Sequence, residues 1–548
     1  MSENKELVRS FINDLYIDFI NSNKFSNLQR YLEADLSWSA SGEVKDVKKQ
    51  LKMIIKDSDY YVDIENMVFA QMNKKNKKSR SYGILPYLKK SEELWLKRIM
   101  ESVNKMCTEL KIYLSQKRTV SQQVGLDENI LSFVKKDCNK SNIKLRPVYS
   151  ATDFFEMLIS IKNNNLRDSV RTSLYLMKTC LHVKDFLELK SFYSAMYCLH
   201  QMNFKDQTQK EIFYINKWMK SENDWIKLGN AVINKKTCSS ARQYLKQGCP
   251  ASLRKQIWLI LLNIKIHDED MLYYFQLKKS ALEYDLFVDH LLRQDVQLTA
   301  SNSNLFFVFE DLLYQTLLVF SRDDCFLNYL EELSITPFKY LIKDKIIEDR
   351  FNTYPPCGIL PFHGFSMLAA PLCYIYEKPE ELYFAFRELY GRYFIKLHSI
   401  SSNSQKAMLF FGYCQHDASL SLTIFSFNLQ TIESILSISS LFESLLISKE
   451  AALFKHLMDI GSPPLKLAFN WLMFVYSGYL SAEETLQLWD IILGFDSLDI
   501  LAVVAVAIFE FRRESLMSAT NLKTAEAILE DISTIKVVPL LVQFFGYI

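Results

Sequence analysis

The chain has 548 residues, enough for roughly two to four ordinary domains. Its 49% hydrophobic and 14% aromatic content exclude wholesale disorder. Lys+Arg (65) and Asp+Glu (63) nearly cancel to a formal +2, so no global field steers it onto nucleic acid. Only 13 Gly and 12 Pro punctuate the chain, which suits long helices joined by short loops.

The N-terminal stretch MSENKELVRSFINDLYIDFI mixes charges among its apolar residues and lacks the apolar run of a signal peptide. The basic run MNKKNKKSRS, with Lys74, Lys75, Lys77, Lys78 and Arg80, reads as a solvated loop, or alternatively as a patch for anionic lipid. ELWLKRIMESVNKMCTELKIYL places Leu94, Ile99, Val103, Met106 and Leu110 at near-helical spacing. Residues 1–225 are therefore expected to form a helical N-terminal region.

From about Gln243 the apolar pattern strengthens. PASLRKQIWLILL sets Leu253, Ile257 and Leu261 on one stripe, beside Trp258 and Leu262. FFVFEDLLYQTLLVF does the same with Phe306, Phe309, Leu313 and Leu317, and PEELYFAFRELYGRYF with Leu382, Phe386, Leu389 and Tyr393. ETLQLWDIIL adds Leu486, Trp489 and Leu493. Each stripe requires a face to bury against other helices. The expected fold class is all-α, with a second all-helical domain over residues 226–548. The most apolar stretch, Ile500 to Phe509, lies between Asp499 and Glu510. It is far short of the ~20 residues of a membrane span, so it is expected to be a buried helix. The chain is expected in the cytoplasm, reaching membranes peripherally through a partner.

Chemistry-bearing patterns are sparse. The ten cysteines form no C-x-x-C pair and read as reduced thiols of a cytosolic protein. The eight histidines show no metal-ligand spacing, so neither metal nor cofactor is expected. No Gly-rich phosphate loop is present, which excludes the chain from being a GTPase itself. H-E-x-x-H, G-x-S-x-G and a fixed-period repeat are also absent.

Four ordered segments carry a resemblance. GCPASLRKQIWLILL (Gly248 to Leu262) is similar to G-x-P-x-x-L-R-x-x-x-W, with Arg254 and Trp258 in register. LRQDVQLT (Leu292 to Thr299) stands at I-x-x-D-x-x-R-T. FHGFSMLAAPL (Phe362 to Leu372) stands at x-Q-G-M-N-x-I-A-x-P-L. Phe469 to Asp490, ending LQLWD, matches a late pair of Trp-bearing helices. Together they resemble the TBC family of Rab GTPase-activating proteins. The likeness extends into the N-terminal half through KRIMESVNKMCTELKI and RPVYSATDF.

The resemblance implies a Rab small GTPase as partner and two catalytic fingers. An arginine given in trans neutralises charge on the transferring phosphoryl group and is worth ~10³–10⁵ in rate. A glutamine amide holds the attacking water by donating one hydrogen bond and accepting another. At the arginine position this chain carries Leu298, which has neither charge nor donor. Arg293, five residues earlier, falls on a different helical face. At the glutamine position stands His363, preceded by Pro361 in place of tyrosine. Its two ring nitrogens point apart and cannot imitate an amide fork. The family frame is otherwise kept in Asp295, Thr299, Gly364, Trp471, Trp489 and Asp490. Arg254 either pairs locally along its packed stem or faces the GTPase. The tryptophans Trp258, Trp471 and Trp489 read as core, with partner contact the lesser alternative.

Gly412-Tyr413-Cys414-Gln415 spells the glutamine motif better than residues 361–363 do, but His416 follows where glycine is required. Residues of about 404–430 read as an atypical insertion, either a variable loop or translated intron sequence. Three functions stay open: a Rab GTPase-activating enzyme, a Rab-binding module without catalysis, and a helical scaffold.

Overall fold

The computed structural model describes residues 84–119, 145–159, 183–197, 222–302, 306–333, 335–337, 354–399 and 433–546. The basic run at Lys74 to Arg80, Gln415 and the expected insertion at 404–430 lie outside these residues. By compactness the chain divides at Gly83/Ile84, and every element below belongs to the unit Ile84–Ile548.

The described chain is almost wholly helical. In its N-terminal part stand α1 (Ile84–Leu110), α2 (Ala151–Ile159) and α3 (Phe186–Phe192). The next helices are α4 (Glu222–Lys235), α5 (Cys238–Leu245), α6 (Ala251–Leu261), α7 (Asp268–Glu283) and α8 (Phe287–Asn302). Then come α9 (Glu310–Phe320), α10 (Leu327–Glu332) and α11 (Pro379–Arg392). The C-terminal part holds α12 (Ile435–Asp459), α13 (Pro464–Met473), α14 (Ala482–Phe495) and α15 (Asp499–Phe511). It closes with α16 (Arg513–Met517), α17 (Leu522–Glu530) and α18 (Val537–Phe544). A two-stranded antiparallel ribbon, β1 (Ser115–Lys117) with β2 (Tyr284–Leu286), ties the N-terminal part to the α7–α8 junction.

The sequence stripes account for most of these faces. Leu253, Ile257, Trp258, Leu261 and Leu262 are buried on α6, and Leu486, Trp489 and Leu493 on α14. Ser481 caps α14, its side chain accepting from the Glu484 N–H, with Glu483 and Glu484 in the first turn. In α1 the buried stripe is Trp95, Ile99, Val103 and Met106, while Leu94 is exposed. Trp95 lies one helical turn from Ile99, whereas Leu94 lies five residues away and falls off that face. Ile500 to Phe509 forms the fully enclosed middle of α15, packed on α12 and α18. Among the described residues no helix is long and apolar enough to cross a membrane.

No break in the core is seen near residue 225 among the described residues. Trp95, Tyr149, Phe154, Phe155 and Leu189 belong to the same continuous hydrophobic cluster as the C-terminal helices. Helix α8 is seated by two buried devices at its start. Asp289 takes the Leu286 N–H on one carboxylate oxygen. Both its oxygens also meet the Arg322 guanidinium, a fork-to-fork ion pair that fixes α8 against the end of α9.

Candidate functional site

The two positions that the resemblance assigns to the fingers come from separate parts of the chain. Leu298 lies on α8, and His363 lies on the loop that leads into a 3-10 turn, Phe365–Leu368. Asp295 joins them. Its carboxylate oxygens accept from the Gly364 N–H (2.6 Å) and the Ser366 N–H (2.7 Å). One turn on, the Thr299 and Ser366 hydroxyls share a hydrogen bond of 2.8 Å. Asp295, Thr299 and Ser366 are all buried, so the clamp is closed to water. Burial pushes the Asp295 carboxyl pKa up, and the two backbone donors and the nearby His363 oppose that rise.

Gly364 is required at this bend. Its φ of +87° is left-handed, and a Cβ there would stand 2.7 Å from Cε1 of Phe474. The loop thus presents His363 to solvent while Phe362 and Phe365 on either side are buried. Leu298 is half-buried. Arg293 lies five residues before Leu298, and its charge opposes the rise that burial gives the pKa of the Tyr314 phenol on α9.

A third segment, which motif spacing does not reveal, meets this junction. Residues 145–150 run from α8 to the finger loop as a strap. The Gln294 side-chain amide donates to the Leu145 carbonyl (2.7 Å), and the His363 N–H donates to the Tyr149 carbonyl (3.0 Å). Tyr149 stacks on Phe362 with ring centroids 5.3 Å apart. Beyond the strap, α2 sends Phe154 and Phe155 onto Phe469 of α13. RPVYSATDF was legible as family-like text; the signal for its role was its aromatic content, Tyr149, Phe154 and Phe155.

A second cluster gathers the remaining motif residues. The Arg254 guanidinium meets the Asp490 carboxylate through Nε (3.0 Å) and Nη2 (2.9 Å), and Nη2 also donates to the Cys249 carbonyl. The Trp258 indole N–H donates to the other Asp490 oxygen at 2.7 Å. Trp489 stacks on Trp258 and donates to the Val475 carbonyl. Trp471 packs against Tyr476 and Phe509. Of the two roles open to Arg254, the geometry gives the local pairing. The Arg254, Trp258, Trp471, Trp489 and Asp490 side chains are all buried in the core.

Behind the finger loop lies His398. Its Nε2 pairs with the Met473 carbonyl (2.9 Å), while Nδ1 has no hydrogen-bond partner. Phe362 and Tyr390 cover its ring. Burial holds its pKa down at about 4. A depressed histidine takes up its proton in the unfolded chain first. Its contribution to stability is therefore complete above the unfolded value of about 6.5 and is lost as pH falls from there to about 4. The loss amounts to about 3 kcal/mol. His398→Phe keeps a ring against Phe362 but cannot titrate. Its urea midpoint should be lower than wild type at pH 7 and should change less between pH 6.5 and 4. Equal slopes for the two proteins would refute this account.

One group of metal-capable side chains lies together among the described residues, Asp323, Asp324 and Cys325. Asp323 already accepts from Tyr273 on one oxygen and Tyr383 on the other. Its carboxylate is committed to the fold.

The Rab-GTPase-TBC domain family model matches residues 362–517, which begins at the finger loop and includes the LQLWD helix. A human protein, TBC1 domain family member 19, is 39% identical over 547 residues, covering 95% of each chain. Among solved structures, the Chlamydomonas flagellar RabGAP TBC domain aligns with 56% of this chain and 84% of its own, at 14% identity and a TM-score of 0.37. The near-complete span of the human relative and the family match establish that the chain belongs to the Rab-GTPase-TBC domain family.

Proposed function

We propose that the chain binds a Rab-class GTPase through the junction of α8 and the finger loop and does not accelerate its GTP hydrolysis through positions 298 and 363. The observation that carries this is an intact frame around substituted fingers. Asp295, Thr299, Gly364 and Ser366 form a buried clamp between the two motif segments. Such a clamp retains the shape of the binding face. The residues it holds out are a leucine, with no charge for a phosphoryl oxygen, and an imidazole, which addresses only the water. The partner class rests on family membership.

The test is binding of the full chain to a panel of Rab proteins in GTP- and GDP-loaded states, with single-turnover hydrolysis measured on the same panel. Binding selective for one nucleotide state, at an unchanged hydrolysis rate, supports the reading. Faster hydrolysis makes the chain an enzyme, and no binding to any Rab leaves the scaffold.

A further inference from the structure

The strap at residues 145–150 is not a loosely laid loop. Val148 and Tyr149 are buried, and Trp95 of α1 packs edge-on to Tyr149 at 5.0 Å. Phe154 on the following helix is fully enclosed. Lifting the segment would return all of these large apolar side chains to water. The strap is thus a fixed wall of the junction.

Its outward residues are Arg146 and Pro147. Leu145, next to Arg146, is bonded to Gln294, which lies four residues, or about 6 Å along the helix, from Leu298. Tyr149 is bonded to the backbone of His363 itself. From Leu145 to Tyr149 the chain can extend at most about 14 Å. Arg146 therefore stands on the segment that links the two finger positions. Among the described residues its ion pair is with Glu109 of α1, at 3.8 Å, and about half of each side chain is in solvent. A guanidinium has five donors, so one long, exposed pair leaves most of its hydrogen-bonding capacity open among these residues. Arg118, by contrast, is committed: it donates to the carbonyls of Ala281 and Tyr284 and to Asp285.

We propose that the strap is one wall of the GTPase-docking face and that Arg146 is the cation this face offers to an anionic oxygen of the partner. The proposal rests on the Rab-binding reading above. The anion is a carboxylate on the GTPase surface or a phosphate of its nucleotide.

The experiment measures affinity of the full-length chain for the Rab it binds, in GTP- and GDP-loaded forms. The variants are Arg146→Ala, Arg146→Glu and Arg146→Lys, with Arg513→Glu as control. Arg513 pairs with Glu450, on a helix packed against α12, α15 and α17. Arg146→Glu should weaken binding at least tenfold, Arg146→Ala less, and Arg146→Lys least. The losses should shrink at high salt, as for an exposed charge contact. Thermal unfolding should match wild type, because the charged group is outside the core. Neutralising the acidic surface residues of that Rab in turn should reproduce the loss at one of them if the anion is a carboxylate; a loss that none of them reproduces assigns the contact to a nucleotide phosphate. A wild type that binds and an Arg146→Glu variant that binds equally well would overturn the proposal alone. No Rab binding by the wild type would overturn the underlying reading as well.

Discussion

Replacing Leu298 with arginine and His363 with glutamine together should convert the chain from inert to stimulatory in single-turnover GTP hydrolysis. The unsubstituted chain should leave the intrinsic rate of each bound Rab unchanged. The absent arginine alone forfeits about 4–7 kcal/mol of barrier lowering, the energy equivalent of ~10³–10⁵ in rate. An imidazole standing at the glutamine position would not recover this, because from there it would address the water and not the phosphoryl charge. The frame favours restoration. Asp295 fixes the backbone of Gly364 and Ser366, so the finger loop keeps its register against α8. Leu298 is half-buried, which suits an arginine that lays its stem on apolar surface and sends its head into solvent.

The expected gain is at least about a hundredfold over the intrinsic rate, with most of it already present in Leu298→Arg. A misplacement of about 1 Å costs a hundredfold, so the full finger effect is an upper bound. Pro361 is buried beside Phe362, and Pro361→Tyr tests whether the loop's approach limits the rate. Wild-type stimulation that survives Leu298→Ala and His363→Ala would refute the reading of these positions. If that activity then fell with Arg146→Ala, the arginine would lie on the strap.

What the sequence made legible was local. The helical stripes and the enclosed Ile500–Phe509 helix follow from spacing and residue type, whereas the finger assignment of Leu298 and His363 rests on the family resemblance. Pairings across the chain did not. Arg254 and Asp490 lie 236 positions apart, and each motif is visible on its own without naming the other as its partner. Asp295 reads as a motif letter, whereas its work is to hold two backbone N–H groups of another motif. The strap was hidden for a different reason. Its bonds to Gln294 and His363 use backbone atoms of Leu145, Tyr149 and His363, and backbone acceptors are the same for every residue type. Side-chain identity marks only its aromatic anchors.

The Arg254–Asp490 pair gives the largest expected effect on stability. Both partners are enclosed, so the cost of taking two charges out of water is set against one well-formed ion pair. Asp490→Asn removes the negative charge and keeps an oxygen for the Trp258 indole N–H. It leaves the Arg254 guanidinium buried without a counter-charge and should cost about 3–5 kcal/mol. Arg254→Met strands the carboxylate instead. Burial already pushes the Asp490 pKa up, and without Arg254 that carboxyl would take up a proton more readily, which lessens the cost. The double variant Arg254→Met, Asp490→Asn has no buried charge at this site. It should be more stable than Asp490→Asn alone, although it carries one more substitution. Urea midpoints of the four full-length proteins measure the cycle. Single losses that simply add in the double variant would show that the two residues do not act as a pair, and that α6 is held to α14 by the stacked Trp258 and Trp489 rings instead.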